Sequence, residues 1–390
     1  MLKIPTNCTG CYACADICPA NCIKMKETET GFLAPVIDEA LCTNCGQCEK
    51  VCSVLHMPKT STYTEAYAMN NKNEYVRNRS TSGGLFFLFA EYVLNKEGIV
   101  FGAAYDFDFS VHHIAVSSRE ELSMLQGAKY VQSVIGNSYQ EVKRELQKGR
   151  IVLFSGTPCQ CMGLKSFLGK EYENLITVDV VCHGVPSPKV WQAYIDYRSQ
   201  KENGGNRPIK INLRSKASGW SHYGYSIEFD YGNGKISRIH NSQDLFMKAF
   251  GGNICLRSSC SNCSAKGVER CTDFTLGDYW GIWNQHPEFD DNKGTSVVFV
   301  HSQKGREILN RVRENTEYLE VDIKDAYREN GSMVYSSAMH AEREDFLKRV
   351  TAENFEEIIS QYFPEHIEKR IGLLHSIKRK AKNAVNKICR

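Results

Sequence analysis

Residues 8–19 read CTGCYACADICP and residues 42–53 read CTNCGQCEKVCS, so the pattern C-x2-C-x2-C-x3-C occurs twice, 34 residues apart. No other feature of the chain limits its folding so strongly. Three thiols within seven residues converge only if the backbone coils tightly around a small object. Soft thiolate ligands select zinc, cuprous copper or iron–sulfur clusters. Zinc takes four ligands in two separated pairs, usually across a longer spacer, and eight cysteines in this tandem pattern fit that poorly. They fit two cubanes. The C-x2-C-x2-C run wraps three sulfurs around one cluster, and the fourth cysteine opens a helix that points to the other. Crossed ligation follows, with Cys8, Cys11, Cys14 and Cys52 around one [4Fe–4S] cluster and Cys42, Cys45, Cys48 and Cys18 around the second. Gly10 and Gly46 lie inside the loops, where backbone passes close to the inorganic core. Pro19 follows Cys18, whereas Ser53 follows Cys52. Cys22 is outside the pattern and reads as a small buried hydrophobe.

Residues 1–58 thus resemble a bacterial two-cluster ferredoxin, its halves forming an internal repeat joined through GFLAPVID (31–38). The chain holds 17 cysteines in 390 residues. Its start, MLKIPTNC, carries no apolar leader, and its strongest apolar run, LFFLFA (85–90), is far too short to span a bilayer. A cytoplasmic protein with reduced, metal-binding thiols is expected. The net charge of +3 is too small to argue for nucleic acid.

After an aperiodic linker, HMPKTSTYT (56–64), strand and helix signals alternate. EAYAMNN (65–71), IVFGAAYD (99–106) and HHIAVSS (112–118) read as strands and GLFFLFAEYVLNK (84–96) as a helix. RIVLFSG (150–156) is a buried strand followed by a helix at CMGLKSFLGK (161–170). LITVDVVCHG (175–184) and PKVWQAYIDYRSQ (188–200) repeat the scheme. YSIEFDYGNGKISRI (225–239) is a hairpin with a Gly-Asn-Gly turn, and TSVVFVHSQKGREILNRVR (295–313) is another strand and helix. The expected fold class is α+β: a ferredoxin-like dicluster domain over 1–58, a mixed α/β domain over 59–345 and a helical tail over 346–390.

Several stretches of the large domain point to chemistry. RSTSGGLFF (79–87) sets hydroxyls and glycines at a helix start, which suits either a phosphate cradle or a plain N-cap. FSGTPCQC (154–161) and VVCHGVPSP (180–188) follow buried strands, where sites in α/β folds gather. Cys159 and Cys182 sit there, and Cys182 beside His183 fits either a Cys–His nucleophile or contact with a cluster or flavin. CLRSSCSNCSAKGVERC (255–271) offers four thiolates for a third [4Fe–4S] cluster or a zinc, with Asp273 or Asp278 as a substitute ligand.

Taken in order, SGG, QGAKYVQS (126–133), SGTPCQ (155–160), CHGVPS (182–187), LRSKASGW (213–220) and CLRSSCSNC with TDFTLGDYWGI resemble the coenzyme F420 hydrogenase/dehydrogenase beta-subunit family over roughly residues 65–330. The resemblance implies an FAD site, making residues 59–345 a flavin-binding domain, and a third cluster. It assigns Ser82, Gly83, Gly84, Lys129, Tyr130, Gln132, Thr157, Pro158 and Gln160 to the flavin. Cys255, Cys260 and Cys263 become ligands of the third cluster; Cys271 stands where many members of that family lack cysteine, so the fourth sulfur comes from Cys271 or from Cys159 or Cys182. An iron–sulfur flavoenzyme is implied, moving electrons in either direction between ferredoxin or another donor and a small-molecule or sugar-linked substrate, with Lys129, Cys182 and His183 as catalytic candidates. A non-catalytic electron-transfer subunit of a larger redox complex is the alternative. The basic, amphipathic HIEKRIGLLHSIKRKAKNAVNKICR (366–390) suits either peripheral membrane contact or a packing helix; Cys389 is incidental to it.

Overall fold

The computed structural model describes residues 3–220 and 224–364; the basic segment 366–390 lies outside the described residues. The N-terminal duplication is carried into the backbone. Gly10 (φ 70°) and Tyr12 (φ 73°) are left-handed in the first loop, and Asn44 (φ 55°) and Gly46 (φ 73°) repeat them in the second. Left-handed turns aim successive backbone and side-chain groups at one centre. Each loop runs into a single helical turn, Ala13–Asp16 and Gln47–Lys50. Strands Ile23–Glu27 and Leu33–Ile37 pair antiparallel, so GFLAPVID supplies the second strand of the expected hairpin.

The large domain is built on an eight-stranded mixed sheet. Its order is Thr316–Val321, Glu65–Asn71, Ser296–Val300, Phe274–Asp278, Leu175–Val180, Val152–Gly156, Ile99–Tyr105, Val111–Val116. The four strands from Phe274–Asp278 to Ile99–Tyr105 are mutually parallel, and antiparallel strands flank them on both sides. Such a core needs cover on both faces, hence its unbroken apolar runs. Alternate residues serve opposite faces. Val100 and Leu153 pack with Leu85, Phe89 and Ile308 on one side, whereas Phe101 and Phe154 pack with Tyr139, Leu164 and Phe167 on the other.

A second sheet of three antiparallel strands, Lys210–Ser215, Ser226–Asp230 and Ile236–His240, contains the expected hairpin. It shares an apolar cluster with Trp191 and Tyr194 of the helix Pro188–Asn203 and with Phe346, Leu347, Phe355 and Ile359. The chain from Arg343 to Tyr362 therefore packs with the large domain.

Several element boundaries shift by a few residues from the sequence expectation, and one of these shifts bears on the site. The helix expected from Cys161 starts at Pro158, because Thr157 and Gln160 form a capping box and proline suits the first helical position. The Thr157 N–H donates to Gln160 Oε1 at 2.9 Å. Cys159 thus stands in the first turn of Pro158–Leu168, with Gly163 one turn further along the same face. The parallel strands Val152–Gly156, Leu175–Val180 and Phe274–Asp278 end at one edge of the sheet, where FSGTPCQ, VVCHG and GDYW meet.

Candidate cluster and cofactor site

The first four cysteines of crossed ligation are close neighbours. Burial raises the Cys14 thiol, and the charges of Cys11, Cys8, Cys52 and Cys48 raise it further. Cys11 is raised by burial, with Cys8 and Cys52 adding to it. Thiols that oppose one another's ionisation form a donor set that a cationic iron core would relieve. Cys18, Cys42, Cys45 and Cys48 line a second, smaller hollow. Cys22 lies in its wall too, with its sulfur 3.3 Å from that of Cys18. Cys45 is exposed, so this hollow is the outer one.

A third group of four gathers at the sheet edge, and it is drawn from three separate stretches of chain. The Cys159 thiol is pushed up by burial and by the nearby charges of Cys263, Cys182 and Cys260. Burial, Cys260 and Cys263 push Cys182 up to about 12. The Val185 N–H donates to Cys260 Sγ at 3.4 Å, and Ser336 Oγ accepts from the Cys263 N–H at 3.0 Å. Gly184 explains the CHG sequence: a Cβ there would lie 2.7 Å from Leu256 and 3.4 Å from the Cβ of Cys260. Cys255 is instead fully buried in the apolar cluster with Ile254 and Leu256. Cys271 lines a separate cavity with Asp179 and Arg270. Neither aspartate considered as a substitute ligand is free. Asp273 accepts from the Thr177 N–H at 2.8 Å and from Ser302 Oγ at 2.6 Å, and Asp278 pairs with Arg214 at 2.5 Å.

Beside this quartet opens a cavity of about 870 Å³, within the range of cofactor sites. Ser82, Gly84, Lys129, Tyr130, Gln132, Thr157, Gln160, Cys182 and His183 all line it. Gly83 and Pro158 do not. The Gly83 N–H donates to Ser296 Oγ at 2.9 Å and backs the loop, while Pro158 faces the Cys271 cavity. Gly84 (φ 84°) begins the helix Leu85–Leu94 without a side-chain cap, and the first residues of that helix reach the cavity wall. Uncapped N–H groups of this kind attract phosphate. Lys129 Nζ donates to the carbonyls of Gln126, Gly127 and Leu125 at 2.9, 3.2 and 3.3 Å, and burial pushes its pKa down to about 7. Tyr130 stacks on Phe250 at 4.9 Å. The His183 imidazole is engaged by Asn253 at 2.7 Å and Ser332 at 3.3 Å, so both ring nitrogens are held away from the role of base to Cys182.

Sequence reasoning missed other wall residues. His113 lines the cavity and is held by Ser133 Oγ at 2.7 Å and the Ser155 carbonyl at 3.0 Å; burial pushes its pKa down to about 4. Its signal was a histidine at an inward position of an alternating strand. Thr9 and Gly10 of the first cysteine loop also reach the cavity. They are docked by Arg257, which donates to the carbonyls of Cys8 and Leu33 at 2.9 Å each, and by Gln132, whose Oε1 accepts from the Leu33 N–H at 2.9 Å. The carbonyl of the same Arg257 accepts from the Cys260 N–H at 3.0 Å. Arg257→Ala removes two charge-assisted bonds, each worth about 1.5–3 kcal/mol. Faster proteolysis between residues 56 and 64 is expected, and limited digestion of the iron-loaded protein checks it.

Residues 149–326 match the family described as the C-terminal part of the beta subunit of coenzyme F420 hydrogenase/dehydrogenase, and residues 7–55 match the 4Fe-4S dicluster domain. Over residues 149–326, less than half of its length, the chain is thus similar to the F420 hydrogenase/dehydrogenase beta subunit, with a dicluster segment in front of that match. The dicluster match makes it an iron–sulfur protein, and the 149–326 match relates it to an oxidoreductase subunit. All four cysteines of the third group fall within the matched 149–326 segment, whereas Ser82 and Lys129 precede it. No curated protein matches the chain. Among solved structures, it is similar to a chain of the F420-reducing [NiFe] hydrogenase complex from Methanosarcina barkeri, with 16% identity and a TM-score of 0.48 over 70% of this chain and 90% of that one. Among the described residues no helix is long and apolar enough to cross a membrane.

Proposed function

We propose that this protein moves electrons between a ferredoxin-type donor and a small-molecule substrate, through three [4Fe–4S] clusters and an FAD bound in the large cavity. The observation that carries the reading is that one cavity wall contains the first cysteine loop, through Thr9 and Gly10, and the third quartet, through Cys159 and Cys182. The ligand sets proposed are Cys8, Cys11, Cys14 and Cys52; Cys18, Cys42, Cys45 and Cys48; and Cys159, Cys182, Cys260 and Cys263. A bound flavin exchanges single electrons with clusters and a hydride with a substrate.

The chain's own residues supply the rest. The uncapped start of Leu85–Leu94 and the Ser80–Gly84 loop suit the dinucleotide phosphates. Lys216 Nζ pins that loop by donating to the carbonyls of Arg77 and Ser82 at 2.7 Å each. Lys129 is held at the cavity wall by the carbonyls of Gln126, Gly127 and Leu125, which oppose the downward pull of burial on its pKa. The stacked pair Tyr130 and Phe250 excludes water from the wall between them. The family description names a beta subunit, which supports a protein partner as the electron donor.

Protein purified without oxygen is expected to hold about twelve iron atoms and as much sulfide, four of each per cluster, and to release one flavin dinucleotide on acid treatment. Iron without flavin, even after incubation with FAD, would leave only an electron carrier. Zinc in place of iron would remove the clusters as well.

A further inference from the structure

The helix Pro158–Leu168 touches two of the proposed clusters at once, and it does so through residues one turn apart. Cys159 lines the same cavity as Cys182, and Cys260 and Cys263 are near enough for their charges to act on its thiol. Four residues on, Gly163 meets the first cysteine loop. A Cβ at Gly163 would lie 2.9 Å from Cys11 Cβ, 3.0 Å from Cys11 Sγ and 2.9 Å from Tyr139 Oη, closer than any side chain there could sit without moving its neighbours. Residues four apart are separated by about 6 Å along the helix axis, so the bare backbone at Gly163 lets the Cys11 sulfur pack against the same helix, one turn from Cys159. This φ is ordinary, and glycine is used for closeness alone.

We propose that Gly163 is a positioning residue that sets the separation between the first cluster and the third, and with it the rate at which electrons pass between them. The inference rests on reading the two cysteine groups as clusters. It also orders the relay. The second group, with Cys45 exposed, takes electrons from outside; the first group, pressed on this helix, hands them to the third. Each transfer is one electron, oxidising the cluster that gives and reducing the cluster that receives.

The test uses the full-length, iron-loaded protein. Gly163→Ala adds one methyl into the contact with Cys11. The expected result is unchanged iron and sulfide, a weaker spin–spin interaction between the reduced first and third clusters by electron paramagnetic resonance, and several-fold slower reduction of the third cluster after rapid mixing with reduced ferredoxin. Tyr139→Phe removes the hydroxyl on the other side of the same space. The pair Tyr139→Phe and Gly163→Ala gives the methyl room to lean away from Cys11, and it is expected to recover most of the coupling. If the alanine variant keeps all its iron and shows the parent's coupling and rate, Gly163 does not set the separation. Loss of the first cluster in the alanine variant, without recovery in the pair, also overturns the proposal, since the glycine would then serve assembly. Absence of iron from the parent protein is a separate failure, belonging to the cluster assignment.

Discussion

Cys260→Ala is expected to remove about four iron atoms and four sulfides per chain, the content of one cluster, and to abolish electron delivery to any substrate while leaving the two N-terminal clusters reducible. Cys182→Ala is expected to do the same. Cys271→Ala and Cys255→Ala are expected to leave iron content at the parent's level, because Cys271 faces Asp179 and Arg270 in another cavity and Cys255 is packed among apolar side chains. Iron and sulfide analysis with electron paramagnetic resonance on all four variants decides the matter. If Cys271→Ala loses the cluster and Cys182→Ala keeps it, the quartet is wrongly drawn. The physical basis is convergence. Cys159, Cys182, Cys260 and Cys263 come from a helix start, a strand end and a short turn, and burial has pushed the Cys159 and Cys182 thiols up in each other's company. A cluster ligand must be deprotonated, so such a site binds iron with release of protons, and acid conditions oppose assembly at this quartet.

The contrast between the cluster sites shows what a sequence can carry. The N-terminal ligands lie within one short repeat, and local turn geometry brings them together; Gly10, Tyr12, Asn44 and Gly46 adopt the same left-handed conformations in both copies. Spacing alone is therefore informative there. The third quartet depends on which strands are neighbours. Leu175–Val180 lies between Val152–Gly156 and Phe274–Asp278, and that order is fixed by packing across the whole sheet, so spacing within 255–271 pointed as readily to Cys255 and Cys271. Six of the eight strands of the large sheet were legible from their apolar runs, whereas Phe274–Asp278 and Thr316–Val321 were not, nor were the helices Ser138–Gln147 and Leu245–Gly251. The helix start at Pro158 has a local signature as well, since T-P-C-Q is a capping box. His113 and Arg257 act through burial and docking, and neither property has a local sequence signature.

Asp278→Ala is expected to destabilise the protein by about 3–5 kcal/mol, the usual cost of stripping one partner from a buried ion pair. Arg214 lies in the cavity wall with its side chain 5% exposed, and Asp278 is its carboxylate partner at 2.5 Å. Burial works against the guanidinium charge, and Asp278 restores it, so the group stays protonated. Three rings also enclose it, with centroids 4.0 Å away at Tyr225, 4.3 Å at Trp220 and 5.1 Å at Trp280. Cation–π contacts of about 0.5–2 kcal/mol each do not replace a carboxylate for a charge so far from water. A melting temperature lower by roughly 4–6 °C is expected for Asp278→Ala, measured by calorimetry on the iron-loaded protein. Replacing both partners, as Arg214→Met with Asp278→Leu, removes the charge together with its counter-charge, and most of the lost stability is expected to return. Tyr225 and Trp280 face the cavity as well, so the single variant is further expected to bind FAD more weakly at unchanged iron content. A single variant as stable as its parent would mean that the rings and backbone alone hold the charge, and the ion pair would then have no part in shaping this wall.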